Sequence, residues 1–106
     1  MYHIRPLTYA PKKEYPLNEW EVQFLDSLSA NLSELENSRI WVFRLSDGTL
    51  SVDYLNKPVG KVRFQGRKHW MQIIKNLYDV ETIEGELFDF IPKIPEWVLY
   101  IRKYLS

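Results

Sequence analysis

The segment Ile40 to Leu55, IWVFRLSDGTLSVDYL, constrains the fold more than any other, because two apolar-rich runs flank the dipeptide Asp47-Gly48. Such a dipeptide between alternating runs marks a β-hairpin: glycine accepts the left-handed backbone of a tight turn, and aspartate tolerates it through local hydrogen bonding. A two-residue type I′ turn sets Ser46 opposite Thr49 and pairs Leu45 with Leu50, Phe43 with Val52 and Trp41 with Tyr54. The large side chains then share one face, an agreement that a one-residue slip would destroy. Arg44, Ser51 and Asp53 go to the other face, where Asp53 is in reach of Arg44 or Arg63. Ile40 and Val42 share that outer face, an apolar pair suited to a partner.

Beyond the hairpin, Asn56 to Gly60 reads as a turn and Lys61 to Gln65 as a third strand, with Val62 and Phe64 toward the apolar side and Lys61, Arg63 and Gln65 away from it. Gly66 ends that strand. Over Arg67 to Tyr78, the residues Trp70, Ile73, Ile74 and Leu77 recur at helical intervals, which predicts an amphipathic helix laid against the sheet. The fold class that follows is α+β, a central antiparallel three-stranded β-meander packed against amphipathic helices and extended by short edge strands.

The flanks supply the remaining elements. Tyr2 to Arg5 alternates as a short strand, while Pro6, Pro11 and Pro16 make residues 1–17 a partly extended arm. A helix start is written at Asn18: its carboxamide caps the open amides, Glu21 completes a capping box, and Leu17 with Val22 forms a hydrophobic staple. Trp20, Phe24, Leu25, Leu28, Leu32 and Leu35 make its core stripe, in one helix to about Leu35 or in two that break near Ser29 to Asn31. The stretch DVETIEGELFDF supplies a short strand at Glu81 to Ile83 or Leu87 to Phe90. Pro95 opens a terminal helix with Trp97, Val98, Ile101, Tyr104 and Leu105 inward, and Arg102 and Lys103 suit its negative end.

A chain of 106 residues that is 45% hydrophobic is sized for one domain, residues 1–106, with its own core. Cysteine is absent, which excludes a disulfide scaffold and thiolate chemistry and agrees with a reducing compartment. No secretion signal opens the chain, and no apolar run reaches the roughly 20 residues of a membrane-spanning helix. The expectation is a soluble, cytoplasmic protein without membrane insertion.

Fourteen basic and fourteen acidic residues cancel, so the distribution of charge is what informs. Residues 57–75 hold six bases and no acid, whereas residues 76–106 hold six acids and three bases. Catalytic signatures are lacking. His3 and His69 fit no metal-ligand spacing, the four glycines form no phosphate loop, and no nucleophile elbow occurs. Ser46, Asp47 and His69 suggest a triad only on paper, since Ser46 and Asp47 belong to a turn. No cofactor, metal or catalytic residue is assigned, and enzyme function is not expected. The candidate site is the basic centre, Lys61, Arg63, Arg67, Lys68 and His69, read as a noncatalytic contact to nucleic-acid phosphate. The alternative is a protein partner or homo-oligomer meeting a mixed aromatic and charged surface.

Overall fold

The structure is a computed structural model and describes residues 3–5, 17–76 and 78–105. Most of the arm expected at residues 1–17, and Leu77, lie outside the described residues. The described elements are β1 (His3–Arg5), α1 (Glu19–Ala30), α2 (Glu34–Ser38), β2 (Ile40–Arg44), β3 (Leu50–Tyr54), β4 (Lys57–Arg63), β5 (Trp70–Ile74), β6 (Val80–Glu84), α3 (Leu87–Phe90) and α4 (Ile94–Tyr100). A short 3-10 turn joins α3 to α4, and a π-type turn over Ile101–Leu105 prolongs α4.

The strands form one sheet in the order β1-β2-β3-β4-β5-β6. β2 to β6 run antiparallel, each to the next, and β1 joins the edge parallel to β2 across the α1–α2 crossover. The α+β class and the central meander are as the sequence indicates, but the meander has five strands rather than three. Helical side chains cover one face of it. Phe24, Leu25 and Leu28 of α1, Phe90 of α3 and Trp97 and Ile101 after it meet Ile40, Val42, Leu50, Val52, Tyr54, Val62, Met71 and Ile73 in a single buried core. Apolar area withdrawn from water in this layer is the main favourable term of folding. No described helix is long and apolar enough to cross a membrane.

Local chemistry sets the helix starts. Asn18 Oδ1 accepts the Glu21 amide at 2.9 Å, and Glu21 Oε1 accepts the Asn18 amide at 3.0 Å, the reciprocal cap read from the sequence. The helix then breaks at Asn31 and restarts at Ser33, whose Oγ accepts the Glu36 amide at 3.1 Å while Glu36 Oε1 accepts the Ser33 amide at 2.8 Å. Buried Asn37 ties this corner together, its amide donating to the carbonyls of Ser29, Leu32 and Ser33. The apolar stripe is narrower than expected, since Trp20 and Leu35 are 47% and 60% exposed.

Two expectations for the centre are corrected. The hairpin exists, but in a register one residue away: Val42 pairs with Val52, Trp41 with Asp53 and Ile40 with Tyr54. Its connection is a three-residue loop, Ser46-Asp47-Gly48, closed by Leu45 N–H to Thr49 O at 2.8 Å and ending on left-handed Gly48 at φ 93°. Such a loop adds one residue to the turn and turns β2 over. Ile40, Val42 and Arg44 therefore face the core, and Trp41 and Phe43 face outward, each half-buried. The two-residue left-handed turn is instead at Leu55-Asn56, φ 51° and 66°, where Tyr54 pairs with Lys57. What reads as a turn over Lys57 to Gly60 is the start of β4, with a bulge that turns both Val59 and Gly60 inward.

The second correction concerns Arg67 to Tyr78, which holds no helix. Trp70–Ile74 is a strand of period two, Met71 and Ile73 buried, Trp70, Gln72 and Ile74 half-buried on the outward side. Trp97 fixes α4 to this strand. Its indole N–H donates to Gln72 O at 2.8 Å, and its ring lies so near Gly60 that a Cβ there would stand 2.7 Å from it. The terminal stretch behaves largely as read: Glu81 to Ile83 is within β6, and Trp97, Val98, Ile101 and Leu105 are buried, but Tyr104, expected inward, is exposed.

Candidate binding face of the sheet

The register gathers side chains from five strands on the face away from the helices. Phe43, Ser51 and Lys61 form one row across β2, β3 and β4, and Arg63, Trp70 and Glu84 form another across β4, β5 and β6. Trp41 and Asp53 pair beside the first row, and alternation adds Gln72 and Ile74 from β5. All but exposed Glu84 are half-buried. In a pleated strand alternate residues share a face, so Val62 at 0% exposure and Phe64 at 2% commit Lys61 and Arg63 to this side.

Of the five candidate residues, Lys61 and Arg63 are brought together two positions apart on β4. Arg67 and Lys68 lie exposed in the loop between β4 and β5. Arg63 leans toward that loop: its Nη2 is 3.2 Å from where a Cβ of Gly66 would stand, and Gly66 holds φ +82°. His69 is set apart. Its side chain is 12% exposed, its ring is 5.5 Å from Trp20 and 5.7 Å from Phe64 between centroids, and Nδ1 lies 3.7 Å from Glu86 Oε2. That is a packed position between α1 and β5.

The carboxylates of the region divide by environment. Desolvation pushes the Asp53 carboxyl above its ordinary range, and among the described residues it makes no ion pair with Arg44 or Arg63. The Thr49 backbone amide, 3.0 Å from Asp47 Oδ1, holds the Asp47 carboxyl below its range, with a smaller pull from Arg63. Arg44 is on the buried side. Its guanidinium grips both carboxylate oxygens of Glu21, reaches the Gly48 carbonyl at 2.8 Å, and shares Glu21 Oε1 with the Gln65 amide.

Sequence reasoning missed three aromatic members of the face, Trp41, Phe43 and Trp70. The first two follow from the longer loop over Ser46-Asp47-Gly48, and the third from period two across Trp70 to Ile74. Among the described residues no three His, Asp or Glu side chains group as a metal site. Comparison of the chain with protein-family models, with curated proteins and with solved structures finds no match.

Proposed function

We propose that this domain is a noncatalytic binding module that holds single-stranded nucleic acid across the outward face of β2 to β5. The observation that carries the reading is the common placement of cations and a ring: Lys61 and Arg63 on one face of β4, with Arg63 beside Trp70. Cations attract phosphates without regard to sequence, and aromatic rings accept any unstacked base. A sheet face of this kind suits single strands, whose bases are free to turn toward the protein, better than a duplex that keeps them stacked inside. Arg67 and Lys68 extend the cationic track along the loop that Arg63 approaches. Ser51 and Gln72 add polar contacts beside it. The protein-partner alternative loses Ile40 and Val42, which are core residues at 1% and 0% exposure.

The test is fluorescence anisotropy with labelled single strands of mixed-sequence RNA and DNA and a duplex of equal length, at low and at physiological salt. Single strands bind more tightly than the duplex. Replacing Lys61→Glu and Arg63→Glu together weakens binding at least about tenfold and flattens the dependence on log salt by roughly 1.5, as loss of two phosphate contacts requires. Absence of binding at low salt, or binding unaffected by the double replacement, overturns the proposal.

A further inference from the structure

We infer that β6 is a docking edge that takes an extended, lysine- or arginine-bearing segment of a protein partner as a seventh strand. Among the described residues β6 ends the sheet and pairs with β5 alone. The bonds Lys75 N–H to Asp79 O at 2.9 Å and Gly85 N–H to His69 O at 3.3 Å set the phase of the ladder, so residues 79, 81, 83 and 85 bond toward β5. The N–H and C=O groups of Val80, Thr82 and Glu84 then point off the sheet. Among the described residues no hydrogen bond reaches them. Their side chains are exposed, Val80 at 57%, and Tyr78 just before the strand is 91% exposed.

An edge meant to stay unpaired is usually blunted by proline, charged side chains, lysine above all, a bulge or a covering segment. β6 has neither proline nor lysine, and its register with β5 is unbroken from Trp70–Glu84 to Ile74–Val80. Its charges are both acidic, Glu81 opposite Ile73 and Glu84 opposite Trp70, so β6 is an unbulged template with an apolar contact at one end that repels acidic strands and admits a basic one. Charge selects the occupant. Residues 79–89 carry Asp79, Glu81, Glu84, Glu86 and Asp89 and no base. Lys75 answers Glu81 at 3.0 Å, and Asp89 Oδ2 accepts the Glu86 amide at 2.8 Å, which leaves Glu84 exposed and Glu86 with a 71% exposed side chain 3.7 Å from His69. A second copy would pair Thr82 with its own counterpart but bring two acidic rims together. An extended segment alternating cations with apolar residues meets Glu84 and Glu86 with opposite charge and Val80 with an apolar neighbour, the usual logic of strand addition.

The probe is a fluorescein-labelled synthetic peptide alternating lysine and valine, compared with a glutamate–valine version and with the lysine peptide N-methylated at alternate amides. The lysine peptide binds saturably and slows hydrogen exchange at the amides of Val80, Thr82 and Glu84, the glutamate version does not bind, and N-methylation weakens binding at least about tenfold. Thr82→Pro removes only an outward N–H, which an edge strand tolerates, and weakens the peptide similarly while leaving thermal unfolding nearly unchanged. Should that variant unfold, the N-methylated peptide on the unaltered protein still decides. The inference is overturned by failure of the lysine peptide to bind, by equal affinity for its N-methylated form, or by protection of β6 that grows with protein concentration alone, which would make a second copy the occupant. These outcomes are independent of nucleic-acid binding by Lys61 and Arg63.

Discussion

Asn18 with Glu21 and Ser33 with Glu36 make the same reciprocal helix cap, and in each the glutamate also holds an arginine distant in sequence, Arg44 for Glu21 and Arg102 for Glu36. The surroundings differ. Glu21 is 0% exposed and Arg44 8%, with the Gly48 carbonyl and Gln65 amide completing the cluster. Glu36 and Arg102 meet at 3.0 Å near the surface, where the arginine side chain is 54% exposed. In the first pair both charges have left water and depend on each other. In the second, the carboxylate side chain is 13% exposed, but water and salt reach the arginine and stand ready to replace it. One local motif thus yields a junction of α1, β2 and the loop after it in one place, and a surface clasp between α2 and the chain end in the other.

Breaking the buried pair has the largest expected effect. Glu21→Gln or Arg44→Met alone leaves one charge stranded, a loss of about 3–5 kcal/mol. Combining the two costs less than their sum, because the second change removes the charge that the first abandoned. Urea unfolding of the two single variants and the double measures this, and strictly additive losses would show that the pair is not coupled. Next in size are the caps. Asn18→Ala and Ser33→Ala each remove a side-chain acceptor worth about 1 kcal/mol. Asn18→Ala is the costlier, since Asn18 also donates to the Phe64 carbonyl at 3.3 Å and anchors α1 to the end of β4. Equal unfolding midpoints for the two variants would deny that α1 is the more tightly bound.

The same contrast explains what was legible in the sequence. A cap is chemistry over three residues, so Asn18 and Glu21 announce α1 without knowledge of the rest of the chain. The sheet register is not local. β2 is apolar on both sides, Ile40 and Val42 on one and Trp41 and Phe43 on the other, so hydrophobic alternation allows either face to be buried. Arg44 belongs to the inward row only because Glu21, far away in sequence, receives it there. Likewise Trp70, Met71, Ile73 and Ile74 satisfy a helical spacing as well as period two, and the neighbours β4 and β6 decide for a strand. Lys61 and Arg63 face outward as their spacing predicts, because buried Val62 and Phe64 between and beside them fix the alternation. The aromatic half of the face stayed hidden with the register.

The surface clasp gives the smallest effect and the one most sensitive to conditions. Arg102 first, and then the Ser33 backbone amide, hold the Glu36 carboxyl down from its ordinary 4.5 to about 2. A carboxyl that binds its proton more weakly in the folded than in the unfolded chain adds stability that is complete above the unfolded value and fades as pH falls toward the folded one. The contribution of Glu36 is therefore whole above about pH 5, declines between 4.5 and about 2, and is gone below that. Asp53 has the opposite sign, since desolvation raises its carboxyl and acid relieves the buried charge. Glu36→Gln should accordingly lower the unfolding midpoint slightly at neutral pH and low salt, with the deficit closing both in acid and at high salt, where surface pairs are screened. Glu21→Gln at neutral pH should keep its deficit at high salt, because its partners are beyond the reach of mobile ions. A Glu36 deficit that resisted salt as the Glu21 deficit does would mean that the clasp is as desolvated as the junction.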